Sequence, residues 1–429
     1  MCRLRLVLAV VVVLPWSAAA ADRYVAPLGA DTANDCSGPA TPCRSINHAI
    51  GQAASGDTIN LAAGSYREGV RIQVEDAALA LTFLGGWNAG FTTRDPTGTP
   101  SVIRSAASAI EPFVGKDRTW IIYADDAATI DVAMDGLVIT RGVATITPPS
   151  LPANYRYRSG GGLLVFAYEH SAVTLSLSNS VITRNKAIDN CGGALFYVYD
   201  DATIDATLTN VQITKNSTSG GRGGLWLNVT AVPYSAPASM QVRLVNSLIT
   251  KNAASGLGGG ASFEAFGPDG SFLNVDLVGT TITANKLRTP SVVAPGSWVQ
   301  GGGGISATGE RPVVVNIVDS IVWGSRVSAL GADDIFVRQP LAGTNDDYYD
   351  VTFNVDHSDV GEVDVGDATW NDLGGNLDVD PGFAKLFHLG PDSPLIDVGT
   401  CTGLPATDFE GDPRPSGATC DMGADEVVP

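Results

Sequence analysis

The sequence predicts an all-β chain that winds into a single-stranded right-handed parallel β-helix, with a helical cap at the N-terminal end and a cap at the C-terminal end. Three observations predict it. First, an Ile-Thr-basic-Asn motif recurs as Ile182-Thr183-Arg184-Asn185, Ile213-Thr214-Lys215-Asn216, Ile249-Thr250-Lys251-Asn252 and Ile282-Thr283-Ala284-Asn285. A degenerate copy, Ile139-Thr140-Arg141-Gly142, precedes them, and Asp319-Ser320-Ile321-Val322 is a worn copy after them. Second, Gly192-Gly193, Gly223-Gly224 and Gly259-Gly260 each begin ten residues after the isoleucine of their repeat. Third, the chain before each isoleucine alternates apolar and polar, as in Val173-Thr174-Leu175-Ser176-Leu177, which is the period of a strand and not of a helix. A single coil of this kind cannot bury its inner face, whereas a stack of coils makes a continuous core.

Taken in chain order, residues 1–21 read as a secretory signal. Arg3 and Arg5 precede an apolar run over 6–16, and Ser17-Ala18-Ala19-Ala20-Ala21 supplies small residues for cleavage. The run falls short of the roughly 20 residues that span a bilayer, and no later stretch reads as a membrane helix. Residues 22–70 form the N-terminal cap and first coil. Ser45 is placed to cap a helix running to Ala54, with Ile46, Ala49, Ile50 and Ala53 on one face. The coils occupy 71–385, interrupted by inserts over 148–158 and 289–300, and residues 386–429 form the C-terminal module. Asn185, Asn216, Asn252 and Asn285 are expected to stack at one corner, about 4.8 Å apart, with their amides bonding along the column. The glycine pairs are expected to allow backbone conformations that a β-carbon would block.

Composition narrows the partners. The formal charge is −19, from 26 basic against 45 acidic residues, which disfavours nucleic acid or anionic lipid as the main partner. Cysteine usage fits an oxidising compartment. Cys36 and Cys43, and Cys401 and Cys420, read as two local disulfides. Cys191 remains as a small buried residue, with no His or Lys near it in sequence to activate it.

Three resemblances follow. The Ile-Thr-basic-Asn and Gly-Gly elements over residues 130–325 resemble the paired Phe-x-x-Asn and Gly-Gly-Ala-Ile repeats of the chlamydial polymorphic outer-membrane proteins, which implies a β-helical surface adhesin. The C-terminal membrane barrel of that family is not found here, so its export route does not carry over. Tyr24-Val25-Ala26, Cys43-Arg44-Ser45-Ile46, Ser55-Gly56-Asp57-Thr58-Ile59 and Gly64-Ser65-Tyr66 are similar to the opening of pectin-lyase-like β-helix proteins. Ser393-Pro394-Leu395-Ile396-Asp397, Asp408-Phe409-Glu410-Gly411-Asp412-Pro413-Arg414-Pro415 and Asp421-Met422-Gly423-Ala424-Asp425-Glu426 resemble the choice-of-anchor Q module of secreted bacterial β-helix proteins. That likeness implies a terminal cap for this segment.

Chemistry is sparser. A lyase of this fold would need carboxylates to hold calcium and an Arg or Lys base, and a hydrolase a cluster of acids; no motif matches either. The pairs Asp125-Asp126, Asp200-Asp201, Asp333-Asp334 and Asp346-Asp347 read as solvated turn carboxylates. Asp346, Asp347 and Asp350 together are the densest calcium candidate, and no other cofactor is expected. His48, His170, His357 and His388 are dispersed, without metal-ligand spacing. Arg141, Arg184, Lys215 and Lys251 share one position in successive repeats, so stacking should align them as a basic column for a polyanionic glycan; the plainer reading is that they splay into solvent or pair with loop acids such as Asp189. Tyr155, Tyr157, Tyr234 and Trp298, on inserts, could stack on sugar faces. The expected function is a secreted or cell-surface, non-catalytic protein for adhesion or polysaccharide binding. The alternatives are a lyase or glycoside hydrolase on an acidic polysaccharide, and a structural surface-layer component.

Overall fold

The structure, a computed structural model, describes residues 20–105, 118–144, 159–231, 236–288, 301–328, 331–337 and 349–429. Most of the signal-like segment, both inserts, Tyr155, Tyr157, Tyr234, Trp298, Asp346 and Asp347 lie outside these residues.

Each full coil contributes four strands, for example Ala194–Tyr199, Thr203–Thr209, Gln212–Thr214 and Ser217–Thr218. Each strand pairs in register with its counterpart one coil on: Ile182 faces Ile213, and Ile213 faces Ile249. Among the described residues the strands form sheets of 19, 9 and 7 strands. Every ladder is parallel except that between Arg326–Val327 and Gly331–Ala332. The chain is a parallel β-helix.

The period-two pattern sends alternate residues inward. Ile139, Ile182, Ile213, Ile249, Ile282 and Val322 stack as one buried column, each side chain contributing about 1.5–3 kcal/mol by leaving water. The first strand of several coils is apolar on its outer side too. Tyr123, Phe166 and Tyr197 stack there with ring centroids 5.4 and 5.2 Å apart, all buried. Runs such as Leu163–Tyr168 and Ala194–Tyr199 are therefore continuously apolar because both faces are covered.

The glycine pairs have a reason other than the expected one. Gly193 and Gly224 are not in left-handed conformations. A β-carbon on Gly193 would instead lie 2.2 Å from the carbonyl oxygen of Gly224, and one on Gly224 2.7 Å from the side-chain amide of Asn252. Close approach of successive coils, and not backbone angle, excludes the side chain.

At the N-terminal end the helix is Ile46–Gln52, two residues shorter than the sequence suggested, with Ile46 and Ala49 buried. The Ser45 hydroxyl accepts from His48 N–H (3.3 Å), and the Glu68 carboxylate accepts from the Ile46 and Asn47 N–H groups (2.7 and 3.1 Å). These bonds satisfy orphan donors of the first turn. The disulfide Cys36–Cys43 is buried beside the helix.

Residues 386–429, expected as a cap, make their contacts along the flank of the solenoid. Asp319 accepts from Thr400 N–H (2.7 Å) and the Thr400 hydroxyl (2.8 Å), and Thr281 accepts from Ala424 N–H (3.0 Å). Leu389, Leu395 and Met422 bury against Ile321 on the outside of the second sheet. The disulfide Cys401–Cys420 and a buried Arg414–Glu426 ion pair (3.2 Å) hold the segment together. The acidic motif of this module therefore does local structural work: one Asp408 oxygen accepts from three consecutive N–H groups, those of Glu410, Gly411 and Asp412.

Candidate functional site

The corner between the second and third sheets is built by the Ile-Thr-basic-Asn motif. The strand ends at threonine, the basic residue turns the chain, and asparagine points inward. The Asn185 side-chain amide donates to Asn216 Oδ1 and to the Ile139 carbonyl (both 3.0 Å), and Asn216 donates in the same way to Asn252 and Ile182. The column runs on through Asn252 to Asn285 and ends where the Ser325 hydroxyl accepts from Asn285 N–H. It satisfies buried turn backbone coil after coil.

The basic residues sit in the left-handed region: Arg141 at φ 60°, Arg184 at 56°, Lys215 at 59° and Lys251 at 57°. All four side chains are exposed. This conformation favours Gly and Asn and disfavours residues with longer side chains. The corner between the first and second sheets carries Gly136, Asn179, Asn210, Asn246, Gly279, Asp319 and His357 at its own positive-φ positions, none of them a long basic side chain. Backbone sterics therefore do not explain why one corner carries Arg, Arg, Lys and Lys. Lys186, Lys286 and Arg326 are exposed on the adjoining third-sheet strands. Among the described residues none of these seven side chains joins an ion pair. Lys251 has one aromatic contact, its Nζ lying 4.6 Å from the centre of the Phe387 ring.

The basic surface extends further toward the N-terminal end than the repeats alone indicate. Arg67 and Arg104 pair in register on the second sheet, and Arg104 pairs with Thr140, the residue before Arg141. Arg44, Arg67 and Arg104 line a cleft of ≈570 Å³ together with Asp31, Ser65, Tyr66 and Glu68. The cleft's acids are engaged elsewhere: Asp31 accepts from Arg44 N–H (2.8 Å), Ser45 N–H (3.0 Å) and the Ser45 hydroxyl (2.9 Å), and Glu68 caps the helix. Burial raises the Asp31 carboxyl, but the Ser45 and Arg44 N–H groups outweigh it and bring the group below its ordinary value. Arg104 donates to Ser65 (2.7 Å), and among the described residues no acid pairs with the three guanidinium groups. Sequence reasoning missed this cleft because Arg44, Arg67 and Arg104 belong to no repeat motif; only the register brings them together.

The remaining residues fall in other places. Asp350 is exposed, and the rest of the calcium candidate lies outside the described residues. Asp334 is not a solvated turn carboxylate: it is 1% exposed and accepts from Ser325 N–H (2.7 Å). His48 Nε2–H donates to the Asn34 carbonyl oxygen (2.7 Å), His170 pairs with Asp201, and His357 with Asp356. Cys36, Cys43 and His48 lie together, but the disulfide removes the thiolates that a metal would need. Burial pushes the Cys191 thiol up to about 12, so it is not a nucleophile. On the outer face of the first sheet, Arg222 lies 4.4 Å over the Trp226 ring and pairs with Glu264, a self-satisfied group. Among the described residues no helix is long and apolar enough to cross a membrane.

No family model matches the chain, and no curated protein matches it either.

Proposed function

We propose that the protein is a non-catalytic polysaccharide-binding protein of the cell exterior, and that its ligand is an acidic glycan lying along the band from Arg44, Arg67 and Arg104 to Arg141, Arg184, Lys215 and Lys251. One observation carries this reading. Four exposed cations, with no ion-pair partner among the described residues, occupy left-handed corner positions where the adjacent corner, between the first and second sheets, carries Gly, Asn, Asp or His. Neighbouring backbone positions in the column stand about 4.8 Å apart, and like charges held that close would repel by up to about 1 kcal/mol per pair even in water. A polymer with an anion on each repeating unit would offset that repulsion at every coil. The exterior setting rests on the signal-like first 21 residues and on two disulfides. The likeness of the repeats to those of the polymorphic outer-membrane proteins supports adhesion as the use of such binding.

The test is retention of the purified protein on immobilised polygalacturonate against neutral dextran. Retention on the first alone is expected, together with its loss when Arg141, Arg184, Lys215 and Lys251 are all replaced by Ala. Unchanged retention of that variant would remove the proposal. The Arg-lined cleft keeps a second reading in play, a lyase acting on the same polymer. Incubation with polygalacturonate and calcium separates the two, since a lyase releases unsaturated uronate that absorbs in the ultraviolet.

A further inference from the structure

The tail carries a second cluster that the glycan reading does not use. His388 Nδ1 lies 2.8 Å from Asp425 Oδ1 and 3.5 Å from Glu410 Oε2. One donor atom from each of these three residues lies within 4.8 Å of the other two. The residues come from separate stretches of a segment whose only helical turn is Lys385–Phe387. Two neighbours hold the donors in place. Leu389 N–H donates to the second Asp425 oxygen (2.7 Å), and the Phe409 ring stands 5.6 Å from the imidazole, tilted by 33°. The Asp425 side chain is buried at 8% exposure, while Glu410 is half-exposed at 48%, so the cluster is anchored on one side and open on the other.

Its charge calls for a cation. Two carboxylates flank one imidazole, and Asp408 and Asp412 add negative potential at Glu410. A nitrogen donor among oxygens suits zinc-like ions better than calcium or magnesium, which prefer all-oxygen shells. Tetrahedral zinc, with bonds of about 2.0–2.2 Å, sets its ligand atoms roughly 3.3 Å apart. The His388–Asp425 and His388–Glu410 separations, 2.8 and 3.5 Å, lie on either side of that value, and the third is within 4.8 Å. We propose that His388, Glu410 and Asp425 bind one divalent transition-metal ion of the zinc type, with water completing its shell on the Glu410 side. The ion ties three stretches of the tail into one unit against the flank of the solenoid.

The experiment uses the full chain, stripped with EDTA and dialysed against Zn²⁺, with bound metal counted per chain. One equivalent is expected, unaffected by excess Ca²⁺, and Co²⁺ in its place should give the visible absorption of a tetrahedral site. His388→Gln and Glu410→Gln should each weaken uptake by about tenfold or more, while His170→Gln, at an exposed His–Asp pair elsewhere, should leave it unchanged. Glu410→Gln keeps the His388–Asp425 bond, so a folded tail without metal remains distinguishable from an unfolded one. Absence of a bound equivalent in the wild-type chain, or uptake unchanged in both cluster variants, would overturn the proposal.

Discussion

Asn216 shows how much one side chain carries at the corner. Its amide donates to Ile182 and Asn252, and its oxygen accepts from both the backbone and the side chain of Asn185, all while 1% exposed. Replacement by Ala would strand the Asn185 N–H in the core and break the column in its middle. Each stranded buried donor costs about 1–3 kcal/mol, so Asn216→Ala is expected to lose about 2–4 kcal/mol, read as a lower urea midpoint. A loss under about 0.5 kcal/mol would mean that the column is not stabilising. The same burial closes Asn216 to glycosylation in the folded chain, although Asn216-Ser217-Thr218 has the acceptor spacing. Such a residue is legible in sequence because stacking repeats one local constraint in every coil. His388 was not, since its partners Glu410 and Asp425 reach it through an irregular tail with no period to follow.

At the scale of elements, the last coils differ from the rest in how their charge is buried. Asp359 is fully buried, its carboxyl raised to about 7 by burial and then by Asp378, Asp334 and Asp380, with only Val379 N–H opposing. Asp334 is raised to about 7 by burial and Asp333, and Asp333 to about 6 by burial and by Asp364 and Glu362. One Asp359 oxygen accepts from Val379 N–H (3.0 Å), and the other has no partner. The sign follows from proton binding. Between the unfolded carboxyl value near 4 and the folded value near 7, the folded state holds protons that the unfolded state has released. The stabilisation is therefore complete below about pH 4 and is lost as pH rises through about 7. Hydrogen exchange at Val379 N–H should quicken from pH 5 to pH 8 beyond its intrinsic rise, and Asp359→Asn should abolish the excess. A flat corrected rate would show that these groups do not govern the last coil. The strands themselves were readable from their period-two pattern. The burial of Asp334 was not, because an Asp-Asp pair in sequence looks the same on a solvated turn or packed between coils.

For the whole molecule, the band is a narrow positive feature on a body of formal charge −19. The two fields have different reach. Column charges meet a bound polymer at contact distance, whereas the acidic surface repels it from further away. At about 0.01 M salt the screening length is about 30 Å, so repulsion from the body reaches the polymer. Near 0.15 M it shrinks to about 8 Å, and the polymer at the band senses mainly the band. At about 1 M it is about 3 Å, and the band is screened as well. Retention on polygalacturonate should therefore pass through a maximum with salt, weak at both extremes and strongest near physiological ionic strength. The variant with Arg141, Arg184, Lys215 and Lys251 replaced by Ala should lack that maximum. A basic protein bound through bulk charge weakens steadily as salt rises. A steady decline here, with the same slope in wild type and variant, would place the binding somewhere other than the corner column.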